Sequence, residues 1–410
     1  MKPIAEVRAT ILATVRPMQS ESIWFQEAVG RILAEPVVAP HDVPSFANSA
    51  MDGFAVRAGD VSASGAVLRV LEDVAAGQVA SVAVGQGEAI KIMTGAPMPD
   101  GADTVVRVED TEEEDDRVRI LTSPAPGTSV RLPGGDVAAG AVVFPAGTRL
   151  TEAHLGVLAT IGAVRPTVAR QPRVAVMSTG DELVPPETEE LAPGMIRDSN
   201  RPMLLALVAG SGSEAVDYGR IPDNADVLRA ALGGAAVEAD VIVTSGGVSM
   251  GEYDVTKAVL RDEADVDFYP VAMKPGKPQG FGTVGGTPFF GLPGNPVSVL
   301  VSFEQFVRPA LLAMKGATAV LRPRVGGVAG EDFESDPAKE EFIRVRLAHD
   351  THPPTVFQTG GGGSHVLSGV ANADAFAVLG VGVAHLAAGS PVTLELFRAV
   401  ETRSISDDRP

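Results

Sequence analysis

Two lysines three positions apart stand in the run Lys274-Pro275-Gly276-Lys277-Pro278, directly after the apolar Val271 to Met273. Flanking prolines stiffen such a turn, and two ammonium groups held on it can converge on one tetrahedral oxyanion. Solvated surface lysines are the plain alternative. The run stands out because the chain carries 33 Lys and Arg against 52 Asp and Glu. Three other segments have the make-up of anion-binding loops. Ser178-Thr179-Gly180-Asp181-Glu182 follows the apolar Val174 to Met177, and Thr244-Ser245-Gly246-Gly247-Val248-Ser249 follows Val241 to Val243. The third, Leu292-Pro293-Gly294-Asn295-Pro296, opens a long apolar segment. Glycine lets backbone N–H groups approach a phosphate, and a following helix N-terminus adds about half a unit of positive charge. Ordinary strand-to-helix turns use Gly, Ser and Asn as well. Carboxylates at Asp52, Asp181, Glu182, Asp223 and Asp254 fall in loops or at element boundaries, where Mg2+ could be held together with phosphate oxygens. Asp223 reads equally well as a helix N-cap, and Asp254 as a first-turn acid facing the helix dipole.

These loops need elements that aim them. Between residues 171 and 318 apolar strands alternate with helices: Val174 to Met177, a helix near Pro202 to Ala209, Ala215 to Tyr218, a helix from Ala225 to Val237, then Val241 to Val243. A helix near 252–262, strands near 266–273 and 287–291, and a long helix from Val297 to Met314, kinked at Pro309, continue the pattern. Such alternation predicts βαβ crossovers and a parallel sheet covered on both faces, with ligands at the carboxyl ends of its strands. Ile4, Val7, Ile11, Leu12 and Val15 give an N-terminal helix one apolar face. Residues 41–133 read as a small β-rich unit, with Val67 to Val70 and Thr104 to Val108 as strands and the acidic Glu112 to Asp116 as a solvated hairpin tip. A helix near Thr151 to Ile161 starts at a capping Thr151. From 319 to 400 short strands, among them Phe342 to Leu347, Ala375 to Val378 and Val392 to Phe397, fit a β-barrel or sandwich. The polar Ser404 to Pro410 is expected to be disordered.

Composition narrows the function classes. At 410 residues the chain is too long for one core. A net charge of -19 removes any general attraction to nucleic acid or an anionic membrane, so an anionic substrate must be caught locally. Aromatic residues at 5% argue against a base-stacking surface. With no cysteine there are no disulfides and no thiolate chemistry, and a cytoplasmic location is expected. Six scattered histidines do not suggest zinc. No uninterrupted apolar run of membrane-spanning length and no leader pattern is read, so no direct membrane insertion is expected.

Seven motifs, taken together, then resemble those of one family. Ser49-Ala50-Met51-Asp52-Gly53-Phe54-Ala55, Met93-Thr94-Gly95-Ala96-Pro97, the Ser178 and Thr244 loops, Asp198-Ser199-Asn200, and the Lys274 and Gly291-to-Pro296 runs together resemble the MoeA/gephyrin family. The resemblance implies an elongated four-domain homodimer. A MogA-like three-layer α/β domain would comprise 1–20 plus 171–318, a linker domain 21–40 plus 134–170, a β-rich insertion domain 41–133, and a C-terminal β-barrel 319–403, before the tail 404–410. The activity it implies is that of a molybdopterin molybdenumtransferase, which inserts molybdate into adenylylated molybdopterin and releases AMP with Mg2+.

Carried over position by position, Lys274, Lys277, Arg344 and Ser364 resemble the family's molybdate contacts, while Ser249 and Asp254 resemble nucleotide or pyrophosphate contacts. Asp254, Asp223 and Asp52 are the candidate metal ligands. Asp52 and Thr94 resemble residues that a partner subunit gives to the cleft. Glu182, Asp223, Pro293 and Pro296 match further family positions, and Asp181, Ser245, Gly246, Gly247 and Asn295 lie in the same loops. Asp254, Lys274, Lys277, Glu182 and Asp52 are the expected catalytic group. The chain departs from the family at Pro270, where a basic residue is common, and in the Gly-rich loop from Thr359 to His365. The resemblance also allows a gephyrin-like scaffold, whose membrane-associated, cytoskeletal or cell-division partner would dock between the α/β domain and the barrel of the dimer.

Overall fold

Helical spacing of apolar residues at the N-terminus gives α1 (Ile4–Thr14), with Ile4, Val7 and Ile11 buried along one face. In the computed structural model, which describes residues 1–247, 257–260, 264–348 and 353–397, that face packs far from its sequence neighbours. It joins Val301, Phe306 and Leu311 in one apolar cluster. The chain then builds a small linker unit from paired short strands, Ser20–Ser22 with Thr167–Ala169 and Val37–Val38 with Val142–Phe144. Between these lies a six-stranded sheet in the order β4-β1-β3-β2-β6-β5, where β1 is Gly53–Val56, β2 Ala66–Val74, β3 Glu88–Ile92, β4 Thr104–Arg107, β5 Thr111–Glu114 and β6 Arg117–Ile120. The acidic run forms the tip of the β5–β6 hairpin as expected, turning at Asp115 and Asp116. Helix α2 (Glu152–Thr160) starts at a reciprocal capping box between Thr151 and His154.

The α/β unit follows as β7 (Arg173–Thr179), α3 (Asn200–Gly210), β8 (Glu214–Ile221), α4 (Ala225–Glu238), β9 (Val241–Ser245), β10 (Asp265–Pro270), β11 (Met273–Lys274), β12 (Pro278–Val284) and β13 (Thr287–Leu292). Residues 257–260 are helical; the rest of the helix expected near 252–262 lies outside the described residues. Val174 to Met177 are fully buried, as a central strand covered by helices on both faces requires. The sheet order is β8-β7-β9-β13-β12-β10. The first four strands are parallel, but β12 runs antiparallel to both its neighbours, β13 and β10, which corrects the expected all-parallel sheet. The reason is a two-residue Gly285-Gly286 hairpin with both φ values positive, +56° and +86°, which joins β12 to β13 without a crossover. Pro278, Gly280 and Gly282 disguise β12 as a loop in sequence. The single strand expected over 266–273 is two, because the chain leaves the α/β sheet after Pro270 and joins another at Met273.

The long helix α5 runs continuously over Pro296–Met314. Its irregularity is five π-helical residues, Phe303–Val307, placed just before Pro309. Proline has no N–H for the carbonyl four residues back. That carbonyl, on Gln305, accepts from Nε of Arg8 on α1 at 3.1 Å instead. By length and composition α5 could cross a membrane, although Ser298, Ser302, Glu304, Gln305 and Arg308 interrupt its apolar run. With 89% of its most apolar window inside the fold, it is the core helix of the α/β unit. The last unit is a closed barrel rather than a sandwich. Strands β14 (Arg324–Ala329), β15 (Glu340–Leu347), β16 (Thr355–Gln358), β17 (Ala375–Leu379) and β18 (Pro391–Leu396) pair in the order β15-β16-β14-β18-β17, and β17 returns to β15. Alternation along β15 turns Ile343 and Val345 into the barrel, while Phe342 joins the α1–α5 cluster outside it.

Where α5 ends, Lys315 is buried at 3% exposure and donates to the carbonyls of Ser211 at 2.5 Å and Gly212 at 2.9 Å. Burial, then the charges of Arg149, Arg308 and Arg31, pull its pKa from 10.5 down to about 8. The unfolded chain therefore holds this proton between pH 8 and 10.5 while the folded chain releases it, so stability should rise with pH across that window. Relative to Lys315→Met, the unfolding free energy of the wild type should gain up to about 3 kcal/mol from pH 8 to 10.5. Denaturant titrations at several pH values would measure this, and a pH-independent difference between the two proteins would contradict it.

Candidate active site between the α/β sheet and the barrel

Strand β11 belongs by sequence to the α/β unit and by pairing to the barrel. Met273 and Lys274 run parallel to Glu340 and Glu341 of β15. The following turn contains a cis Lys274-Pro275 bond and Gly276 at φ +104°. A side chain at Gly276 would need the left-handed region and would sit 3.0 Å from Cε of Met273 and 3.1 Å from Oγ of Ser302. Buried Gln279 fixes the turn from beneath, its Nε2 donating to the Gly276 carbonyl at 2.6 Å and to Ser302 Oγ at 2.7 Å. The Val271 amide donates to the carbonyl of Lys277 at 2.7 Å. Backbone and buried amide thus hold Lys274 and Lys277 as the sequence spacing suggested.

Both lysines open onto a cavity of about 280 Å³, whose far wall is Arg344, Gly362 and Ser364 of the barrel. Four residues expected to share one oxyanion site therefore do line one space. The α5 N-terminus forms its floor through Asn295, Val297 and Ser298. The Val297 amide donates to the Ser364 carbonyl at 3.1 Å, and Asn295 Nδ2 donates to Ser364 Oγ at 2.9 Å. Asn295 thus spends its side chain on the barrel loop instead of capping its own helix. Arg344 is 4% exposed, and burial lowers its pKa. Its terminal nitrogens donate to the carbonyls of Gly363, at 3.0 Å, and Gly361. Read from sequence as an oxyanion contact, Arg344 also clamps the Gly-rich loop that carries Ser364. Glu341, which sequence reasoning missed, lines the same cavity with its Oε1 2.9 Å from Lys274 Nζ.

Pro270 does not line this cavity; its carbonyl accepts from the Lys2 amide at 2.9 Å. The Lys2 ammonium lies 4.3 Å from the centre of the Tyr269 ring. The charge missing at position 270 is therefore missing from the strand beside the cavity wall.

A second cavity of about 300 Å³ adjoins the first through Asn295 and the Ser364-His365 loop, and is lined by Glu182, Asn200, Ser245, Gly246 and Pro296 among others. Three strand-end loops meet here. Asn200 Nδ2 donates to Ser245 Oγ at 2.8 Å and to the Gly294 carbonyl at 2.6 Å, while Ser178 Oγ donates to Asp198 at 2.6 Å. Gly246 has φ +94°, and a Cβ on it would lie 2.6 Å from the Thr179 carbonyl, so only glycine lets these loops close up. Oδ1 of Asn200 is buried without a partner among the described residues. Asp198 and Asn200 carry this wiring, and only their place in a recognised motif hinted at it.

The other candidates lie at varying distance from this centre. Gly247 follows Gly246 with φ +69°, Pro293 precedes α5 and Pro296 is its first residue. Asp181 accepts from the Asp223 amide at 3.1 Å. Asp52 sits on the insertion unit and accepts from the Thr94 amide and hydroxyl, both at 2.7 Å, which hold its carboxyl below the ordinary range. Ser249 and Asp254 lie outside the described residues. Asp52 is thus tied to Thr94 and Asp223 to Asp181, and among the described residues no three acidic or imidazole groups gather to hold a metal.

Residues 2–162 match the MoeA N-terminal region (domain I and II), residues 175–313 a probable molybdopterin binding domain, and residues 327–397 the MoeA C-terminal region (domain IV). The chain is 40% identical over 400 residues to molybdopterin molybdenumtransferase 2 of Mycobacterium tuberculosis, covering 95% of this chain and 98% of that protein. The chain belongs to the MoeA family. Molybdopterin molybdenumtransferase of Haemophilus influenzae is 38% identical, over 93% of this chain and 95% of that protein. The crystal structure of the molybdopterin biosynthesis moeA protein from Pyrococcus horikoshii OT3 superposes with a TM-score of 0.86 at 30% identity, covering 97% of this chain and all of that one. The multidomain MoeA architecture expected from the motifs is the one observed.

In this MoeA chain the Arg344 clamp makes a prediction about motion. Arg344→Met removes the donors that gather the loop carbonyls but keeps the apolar stem, so amide exchange over 360–366 should accelerate by about tenfold or more. Hydrogen-exchange mass spectrometry would read this directly, and unchanged protection in the loop would show that the clamp is idle.

Proposed function

We propose that this protein is a molybdopterin molybdenumtransferase, inserting molybdate into adenylylated molybdopterin with release of AMP in molybdenum cofactor biosynthesis. The carrying observation is the convergence of Lys274, Lys277, Arg344 and Ser364 on one interdomain cavity that adjoins a second at Asn295. The first cavity suits a small tetrahedral dianion, with ammonium groups on one wall and a helix N-terminus on its floor. The second, with strand-end glycines and the start of α5, suits the pyrophosphate link and the pterin. Asn295 stands between them, so the oxyanion and the dithiolene it must reach share one border. The protein's work is to bind and orient both reactants and to exclude water, and no side chain need act as a nucleophile.

Mg2+ takes one or two carboxylates together with substrate phosphates rather than a cage of protein ligands. Glu182 lines the second cavity and would hold it there; Asp223, whose amide bonds the neighbouring Asp181, and Asp254 are the further candidates. Bound so, the ion would neutralise charge on the pyrophosphate. Asp52 and Thr94, joined to each other on the insertion unit, are assigned to the cleft of a partner subunit in a homodimer. The absence of cysteine suits a reducing cytoplasm. The relatives are named for the transferase, and no observation among the described residues favours a scaffold instead.

The test is AMP release and cofactor formation from adenylylated molybdopterin and molybdate. Lys274→Ala and Lys277→Ala should each lower both by at least about tenfold. Full activity in both variants would place the chemistry elsewhere. Gln279→Leu, which unties the turn without touching the oxyanion, should raise KM for molybdate by about tenfold while kcat changes less.

A further inference from the structure

Glu341 is an unusual lining residue for a cavity read as a dianion site. Its side chain is 10% exposed, its Oε1 lies 2.9 Å from Lys274 Nζ, and its Oε2 accepts from the Asp336 amide at 3.2 Å. The parallel ladder places it directly opposite Lys274, so the backbone fixes their meeting. A carboxylate here repels an incoming anion and occupies a cation that the anion needs. Two charges a few ångströms apart in a partly dry site interact far more strongly than in water.

We infer that Glu341 is the resident counter-ion of the oxyanion pocket: it holds Lys274 until a tetrahedral dianion takes that ammonium over, and so limits how tightly the pocket takes dianions of any kind. The inference rests on the proposed molybdate site and deepens it. It separates Lys274, whose charge Glu341 already balances, from Lys277, which has no ion-pair partner among the described residues. Abundant dianions such as sulfate meet the same repulsion as molybdate, so the carboxylate sets how tightly the pocket holds dianions without choosing between the two.

Glu341→Gln keeps the shape and an acceptor for the Asp336 amide while removing the charge. Equilibrium dialysis of the full chain with molybdate, sulfate and perrhenate provides the test, since perrhenate is tetrahedral but carries one charge. Molybdate and sulfate should bind about tenfold tighter to Glu341→Gln, and perrhenate only about threefold, because the repulsion scales with the charge of the ligand. In a Lys274→Met background the substitution should still relieve repulsion, but the gain should shrink, since no ammonium is set free. A merely structural Glu341 would shift all three anions equally or weaken them, and either result would overturn the inference while leaving molybdate binding by the wild type intact. If neither protein takes up molybdate, the proposed function fails together with it. Glu341→Asp, which keeps the charge but falls one methylene short of Lys274, should show a smaller gain for the dianions. A loss there would also count against the counter-ion role, even if the Gln variant folds poorly.

Discussion

The two-residue ladder between Met273–Lys274 and Glu340–Glu341 is the contact on which the site depends. It takes a segment that belongs to the α/β unit and makes it part of the barrel's sheet, so the two units share backbone hydrogen bonds rather than only a surface. Phe342, the next residue on β15, and Phe376 on β17 are buried in the same cluster as α1 and α5. Burying each contributes roughly 1.5–3 kcal/mol. A cavity whose walls come from different units keeps its dimensions only if those units cannot slide, and this seam supplies that restraint.

Around the seam, positioning is achieved with buried hydrogen bonds instead of apolar packing. Gln279, Asn200, Asp198 and Arg344 are each buried, and each ties together loops that are distant in sequence. Such groups are costly when unpaired and rigid when paired. Arg344, Asp198 and Asn200 tie their loops from the cavity walls, and Gln279 does so from beneath the lysine turn. Ser364 shows the arrangement at its simplest, since the loop that presents it is pinned by an amide of α5 on one side and by an arginine of β15 on the other.

Much of this was legible in the sequence because the relevant periods are long and regular. The β7 to β9 strands, α3, α4 and α5 follow from apolar runs alternating with helical spacing, and the Lys274 turn follows from its composition alone. What was lost is instructive. Strand β12 hides behind Pro278, Gly280 and Gly282, residues that normally break strands; here a Cβ on Gly282 would collide with the Asp265 carbonyl and one on Gly280 with the Phe268 ring. The division of 266–273 between two sheets is a tertiary event with no local signature. Glu341 looked like any surface acid in a chain with 52 of them, and only the register of β11 on β15 shows it facing a lysine. Arg344 is expected at the site from the family resemblance alone, and its grip on the Gly361 and Gly363 carbonyls depends on the path of a loop that has no local signature.

Helix α1 has a consequence of a different kind. Arg8 meets Gln305 across a sequence separation of 297 residues, and the apolar face of α1 has its partners in α5. On the ribosome, which adds roughly 5–20 residues each second, the first helix is made well before anything that can cover it. The linker and the insertion sheet can close on themselves in that interval, because all their strands lie before residue 170. The N-terminal segment must therefore wait, with its greasy stripe uncovered for tens of seconds, until the last helix of the α/β unit emerges. A short helix of 11 residues with only three fully buried side chains keeps that exposed stripe small, which favours patience over aggregation during synthesis.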